Sequence, residues 1–284
     1  MDNLLDRALG LEEGRGDRWP LLGKLVLVED CVETGGAFVV HHIIKRFLLS
    51  PQPPALSNNA LILVAFSQPL SHYDRVLRKL VISLLSASLS LATGNGSVLV
   101  IASGCNLVAQ RDNNRFLFFD MLNLRFPDKD DAKTGSSILV SLFEKIYNAV
   151  RALSAEKNCI TIVIDDIALM EVVANGSSDS VLDFLHYCRT LTSEFDCSVV
   201  ALNHGDIYSS MEKPMLMLNL EYLSNILVRA EPLATGSAVD VHGQLMVFNK
   251  GERDRQGTPG SKIHNFHFRV RENSVDFFYP GGRG

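Results

Sequence analysis

No CxxC pair occurs in the sequence, and its five cysteines (Cys31, Cys105, Cys159, Cys188 and Cys197) are scattered and odd in number. That excludes a disulfide framework and the paired spacings of a structural zinc site. Free thiols in a reducing compartment are the expectation. A GxSxG elbow is also missing, so His204 and Asp206, which follow a strand-like run, have no recognisable nucleophile to serve. Excess positive charge is absent: 27 Lys and Arg stand against 32 Asp and Glu, a formal charge of −5. The chain as a whole therefore has no electrostatic pull toward nucleic acid or anionic lipid, and polyanion contact needs a local patch or a partner. The start, MDNLLDRALGLEEGRGDRW, is charged throughout and lacks the apolar core of a signal peptide. One further absence is local, because no charged residue occurs from Leu80 to Gln110. Within it, 81–103 is long enough to cross a bilayer. Gly94-Asn95-Gly96 divides it into pieces too short to do so, and serines are frequent. An extra helix–turn–strand and no membrane association are expected there.

What is present is an alternation of short apolar runs with helical patterns. KLVLVE (24–29), ALILVAF (60–66), RFLFFD (115–120), CITIVID (159–165) and CSVVALN (197–203) have the length and β-branched content of buried strands. Between them, 136–153 places Ile138, Leu142, Phe143, Ile146, Tyr147, Val150 and Leu153 on one helical face. Residues 179–192 do the same with Leu182, Leu185, Cys188 and Leu191, from a cap expected at Asp179. This pattern predicts an α/β fold with a mostly parallel central sheet flanked by helices. After about residue 224, NILVRAE, HGQLMVFNK, IHNFHFRV and VDFFYP predict a C-terminal antiparallel meander, with GERDRQGTPGSK (251–262) as a polar loop.

The stretch LVEDCVETGGAFVVHH (27–42) has the layout of a phosphate-binding loop between strand and helix. A working loop reads GxxxxGK[ST]: backbone N–H groups wrap phosphate, Lys neutralises it, and Ser or Thr holds magnesium. With Gly35 as the second glycine, the first has become Asp30, the Lys has become Gly36 and the hydroxyl has become Ala37. Glu29, Asp30 and Glu33 surround the phosphate position, and one like-charge contact at about 4 Å opposes binding by about 4 kcal/mol at a surface-like dielectric. The expectation is a degenerate loop in which Gly35-Gly36 permits tight packing. ITIVIDDIALME (160–171) ends a strand in Asp165-Asp166, the layout of a Walker B strand, but acids there also cap the following helix. His41-His42 on the first helix, and His186 with Asp183 on a later one, are read as packing or surface residues.

The motifs NLLDRALGL, VLVEDCVETGGAFVVHHIIKRFL, VAFSQPLSHYDRVLRKL, NNRFLFFDML, VLDFLHYCRTL, LNHGDIYSSMEKP, VDVHGQLMVFNKG and FRVRENSVDFFYPG run in order over nearly the whole chain. Together they resemble the plant-type family of the sixth Elongator complex protein. The resemblance implies a RecA-like fold, a single domain over 1–284, and no catalytic residue, cofactor or metal of its own. It implies a hetero-hexameric accessory ring with the fourth and fifth Elongator subunits, attached to the catalytic Elongator core. The resemblance further implies that the ring binds and releases tRNA in support of wobble-uridine modification, in cytoplasm and nucleus. Lys213, Arg253, Arg255 and Lys262 are the candidate tRNA contacts. In similar proteins LRKL runs directly into GCNL. The intervening 81–103 is therefore an atypical insertion with the character of a retained intron. The residues also leave an alternative open, a RecA-type NTPase that binds nucleotide through an unorthodox or shared site.

Overall fold

The apolar runs form the parallel centre of one nine-stranded sheet in the computed structural model. The structure describes residues 4–11, 18–49, 58–80, 105–122, 135–208, 214–234, 236, 240–253 and 259–281. The insertion at 81–103 lies outside them, as do Lys213 and Arg255. Strands β1 (Leu25–Asp30), β2 (Asn59–Ala65), β3 (Phe116–Asp120), β4 (Cys159–Ile164) and β5 (Ser198–His204) pair in parallel. With β6 (Ile226–Glu231), β7 (Gly243–Arg253), β8 (Pro259–Val270) and β9 (Val275–Phe278), the order across the sheet is β3-β2-β4-β5-β1-β6-β7-β8-β9. β1, β2 and β4 are buried along their entire length, which is why their sequences are mostly apolar runs rather than alternating.

The helices are α1 (Leu4–Leu9), α2 (Ala37–Leu49), α3 (Leu70–Leu80), α4 (Leu107–Asp112), α5 (Gly135–Ser154), α6 (Ile167–Val173), α7 (Ser178–Glu194) and α8 (Met215–Leu223), with a 3-10 turn at Gly205–Tyr208. They cover the sheet on both faces. Val26 and Val28 of β1 pack with Leu5, Ile43, Phe47 and Leu77 of α1, α2 and α3. Leu25 and Leu27, on the opposite face, pack with Ile146, Met170, Leu185 and Leu216 of α5 to α8. Alternation along a single strand thus feeds two cores. Each fully buried Leu, Ile or Phe contributes about 1.5–3 kcal/mol relative to exposure.

Four expectations change in detail. The inner face of α5 is built on Leu139, Leu142, Ile146 and Val150, while Ile138 is half-buried. The cap of α7 is Ser177, whose Oγ accepts from the Ser180 N–H at 3.2 Å; Asp179 lies inside the first turn, where its charge complements the helix dipole. Of the loop expected at 251–262, residues 251–253 and 259–262 belong to strands, and 254–258 lie outside the described residues. β7 runs on to Arg253, opposite Pro259 of β8, with a register irregularity between Asn249 and Glu252. Ladder pairing needs only backbone groups, so it continues beneath a polar sequence. β6 is also less simple than a meander strand, being parallel to β1 and antiparallel to β7.

Candidate functional site at the carboxyl ends of β1, β4 and β5

In open α/β sheets the crevice beyond the carboxyl ends of the strands is where ligands bind. Here β1, β4 and β5 each run into polar residues at that end: Glu29-Asp30, Asp165-Asp166 and Asn203-His204. Successive strand side chains point to opposite faces, so each pair divides its work.

Asp30 turns into the loop that follows it. Its Oδ2 accepts from the Gly36 N–H at 2.6 Å, and its Oδ1 meets His204 Nδ1 at 2.5 Å. A turn from Cys31 to Thr34 closes through the Thr34 N–H on the Cys31 carbonyl at 3.0 Å. The Val32 N–H is taken by Asp206 Oδ2 at 2.9 Å. Gly36 is required by close approach: a Cβ there would lie 3.1 Å from Asp30 Cβ and 3.2 Å from Val28 Cγ1. Gly35 is exposed with nothing within 4 Å of such an atom, so the tight packing expected of the glycine pair belongs to Gly36 alone. The far side of the loop rests on the C-terminal hairpin, where a Cβ on Gly243 would meet Thr34 Cγ2 at 2.6 Å and the Glu231 carbonyl oxygen at 2.7 Å.

Glu29 faces the other way, in register with Arg229 of β6. Arg229 Nε donates to Glu29 Oε2 at 2.8 Å, its other end pairs with Glu221 of α8, and the guanidinium lies 5.8 Å from the Phe248 ring centre. Two of the three acids around the loop are therefore partnered within the chain, and Glu33 is exposed.

Asp165 and Asp166 have separate tasks. Asp165 accepts from the Phe66 N–H (2.6 Å), the Ser67 N–H (3.0 Å), Ser67 Oγ (2.8 Å) and Tyr73 Oη (2.5 Å), fastening β4 to the start of α3. Burial and the Asp165 charge push the Tyr73 phenol far above its ordinary range, which keeps it a donor. Asp166 caps α6 through the Leu169 N–H at 2.8 Å, as its position after a strand allows.

Asp206 bonds the Val32 N–H, and His204 pairs with Asp30 and with Asp166, whose Oδ2 lies 3.4 Å from Nε2. Hydrogen bonds to Asp166 and Asp30 raise its pKa to about 10, against the opposing effect of burial. The signal in the sequence was alignment: each of the three is an early polar residue at the end of an apolar run, and Asp30 and His204 are register partners on adjacent strands.

The remaining candidates lie away from this cluster. His41 packs edge-on against Tyr73, and burial lowers its pKa to about 4. His42 bonds Asp6 at 2.7 Å and ties α2 to α1. His186 and Asp183 are exposed on α7. Lys262 is exposed on β8 opposite Asn249, and Arg253 ends β7, both on the hairpin beyond β6. All five cysteines are free thiols, four of them buried. Among the described residues, no group of three or more His, Cys, Asp or Glu is arranged to hold a metal, and no helix is long and apolar enough to cross a membrane.

Similarity to known proteins follows the same outline. A KaiC-like protein from Pyrococcus horikoshii OT3 matches the fold with a TM-score of 0.55, covering 91% of this chain and 90% of that one at 11% identity. The sheet and its flanking helices are thus RecA-like. Elongator complex protein 6 from Homo sapiens is 30% identical over 269 residues, covering 91% of each chain. The Xenopus laevis protein of the same name is 28% identical over 276 residues, covering 92% of this chain and 91% of its own. The family described as Elongation complex protein 6 matches residues 8–272, from α1 to just past β8. The chain belongs to the Elongation complex protein 6 family.

Proposed function

We propose that the chain is a non-catalytic, RecA-like subunit of the Elongator complex that works through assembly. In this reading it sits in an accessory hetero-hexameric ring with the fourth and fifth subunits, and the ring handles tRNA for wobble-uridine modification by the catalytic core, in cytoplasm and nucleus. One observation carries the non-catalytic part. The backbone N–H groups of Val32 and Gly36, which a phosphate-binding loop turns to its ligand, are engaged by the chain's own Asp206 and Asp30. Gly36 and Ala37 stand where Lys and a hydroxyl are needed for the chemistry.

The assembly part is supported by α8. Apart from Asn219 and Glu221 it is apolar: Leu216, Met217 and Leu220 are buried, while Met215 (70% exposed), Leu218 and Tyr222 (85%) form a stripe on its outer side. A helix apolar on both sides is ordinarily buried on both, and a second subunit supplies the missing cover. Exposed Val32 and Ile207 lie on the neighbouring loop and 3-10 turn, joined through the Val32–Asp206 bond.

Co-expression with the fourth and fifth subunits tests the reading. The chain is expected to co-purify with both and to show no ATP turnover alone. Turnover by the isolated chain that disappears in Asp165→Ala, or failure to co-purify, overturns it. For tRNA, Lys262→Glu in the assembled ring is expected to weaken binding and to lower its salt dependence.

A further inference from the structure

A continuous line of contacts joins the N-termini of α2 and α6. The Gly36 N–H donates to Asp30 Oδ2 at 2.6 Å; Asp30 Oδ1 meets His204 Nδ1 at 2.5 Å. His204 Nε2 lies 3.4 Å from Asp166 Oδ2, and Asp166 Oδ1 accepts the Leu169 N–H at 2.8 Å. Both ring nitrogens of His204 therefore face carboxylate oxygens. A neutral imidazole has one N–H and one lone pair, so one nitrogen would turn its lone pair on an anion. Only the imidazolium offers a donor at each end. Each carboxylate lies at the positive end of a helix and accepts a backbone N–H. Both carboxylates are nearly buried, while the His204 side chain between them keeps 31% of its surface exposed.

We propose that Asp30, His204 and Asp166 form an ionised clasp in which the Asp30 carboxylate is the resident anion of the loop and the His204 imidazolium its resident cation, so that the loop is ordered without ligand. In a phosphate-binding loop the helix N-terminus and its preceding amides take charge and shape from a bound phosphate. Here the same amide takes both from a side chain six residues earlier. The missing Lys has its counterpart too, since the cation arrives from β5 rather than from the loop. The site is therefore filled as well as stripped, and the ends of β1, β4 and β5 are fastened to one another. The groups facing the imidazole are Asp30 of β1 and Asp166 before α6. On its own side, Asp206 is committed to the Val32 N–H, and Tyr208 donates to Glu171 at 2.9 Å. The inference deepens the non-catalytic reading and rests on it only in taking the loop to be empty of ligand.

Two measurements on the full chain decide it. In histidine-labelled protein followed by NMR, the His204 ring is expected to stay protonated through pH 8; titration near the ordinary value of about 6.5 overturns the clasp. In a double-mutant cycle at pH 7, Asp30→Asn and His204→Gln are each expected to lower the folded-to-unfolded ratio by about 10-fold or more. The double variant should then lose much less than the product of the two. Independent, multiplying losses overturn it. Should either variant fail to fold, the titration of the unaltered chain still decides. The two readings fail separately. ATP turnover with His204 still protonated sinks the non-catalytic role and leaves the clasp, whereas a titrating His204 in a chain without turnover sinks the clasp alone.

Discussion

His204 and His41 tie the stability of the chain to pH with opposite signs. The pKa of His204 is raised to about 10, so its contribution is complete below the unfolded value of about 6.5 and is lost as pH rises through 10. His41 is lowered to about 4 by burial, with the His72 charge adding to it; its contribution is present above about 6.5 and is lost as pH falls through 4. Urea midpoints should show the gap between wild type and His204→Gln closing from pH 7 to pH 10, and His41→Phe losing less stability than wild type between pH 6 and pH 4. Glycines give a sharper test. Gly243→Ala places a methyl against Thr34 and a carbonyl oxygen and should cost about 3 kcal/mol, whereas Gly35→Ala, with open space around it, should stay within about 0.5 kcal/mol. Equal effects in denaturant titrations would contradict the packing described. At this scale the sequence revealed what the loop lacked but not what replaced it. The acids at 29, 30 and 33 were legible as unfriendly to phosphate. Their partners Arg229 and His204 were not, because they arrive across strand register from far along the chain.

Strands were legible to within a residue or so because a parallel strand buried on both faces has to be apolar throughout, and few other elements are. Helix interiors were legible from their spacing. The cap of α7 was less so: SSDS offers several residues able to cap, and the geometry selects Ser177. Ser177→Ala should cost about 1 kcal/mol, read from chemical denaturation, while Asp179→Ala should cost only the dipole contribution, about 0.3–1 kcal/mol. The hairpin β7–β8 was underestimated because its polar end keeps pairing through backbone groups that composition does not report. α8 escaped notice altogether. Its sequence MLMLNLEYL shows little contrast between faces, and that lack of contrast is its meaning, since both sides call for cover. Replacing Met215 and Tyr222 together by Ser should leave the thermal midpoint of the isolated chain within a few degrees, because both are exposed. It should reduce co-purification with the ring partners several-fold. Unchanged assembly would show that α8 is not part of the contact.

For the whole molecule, the α/β class and the antiparallel end were legible from the order of periodicities. The strand order was not, since apolar runs do not say which other run they join. The order that results has a consequence for how the chain is made. β1 is among the first elements synthesised, yet its two neighbours are β5 and β6, so Val26 waits for both Val200 and Ile226. Until those residues leave the ribosome, a strand with four apolar residues in a row stands with both edges unpaired, and such edges are the usual route to aggregation. A nascent chain ending before β6 should therefore be captured by chaperones or precipitate, while one carried through Glu231 gains the last partner for β1. The strand that carries the loop is in this sense among the earliest written and the latest secured, and the cell has to shield it for most of translation.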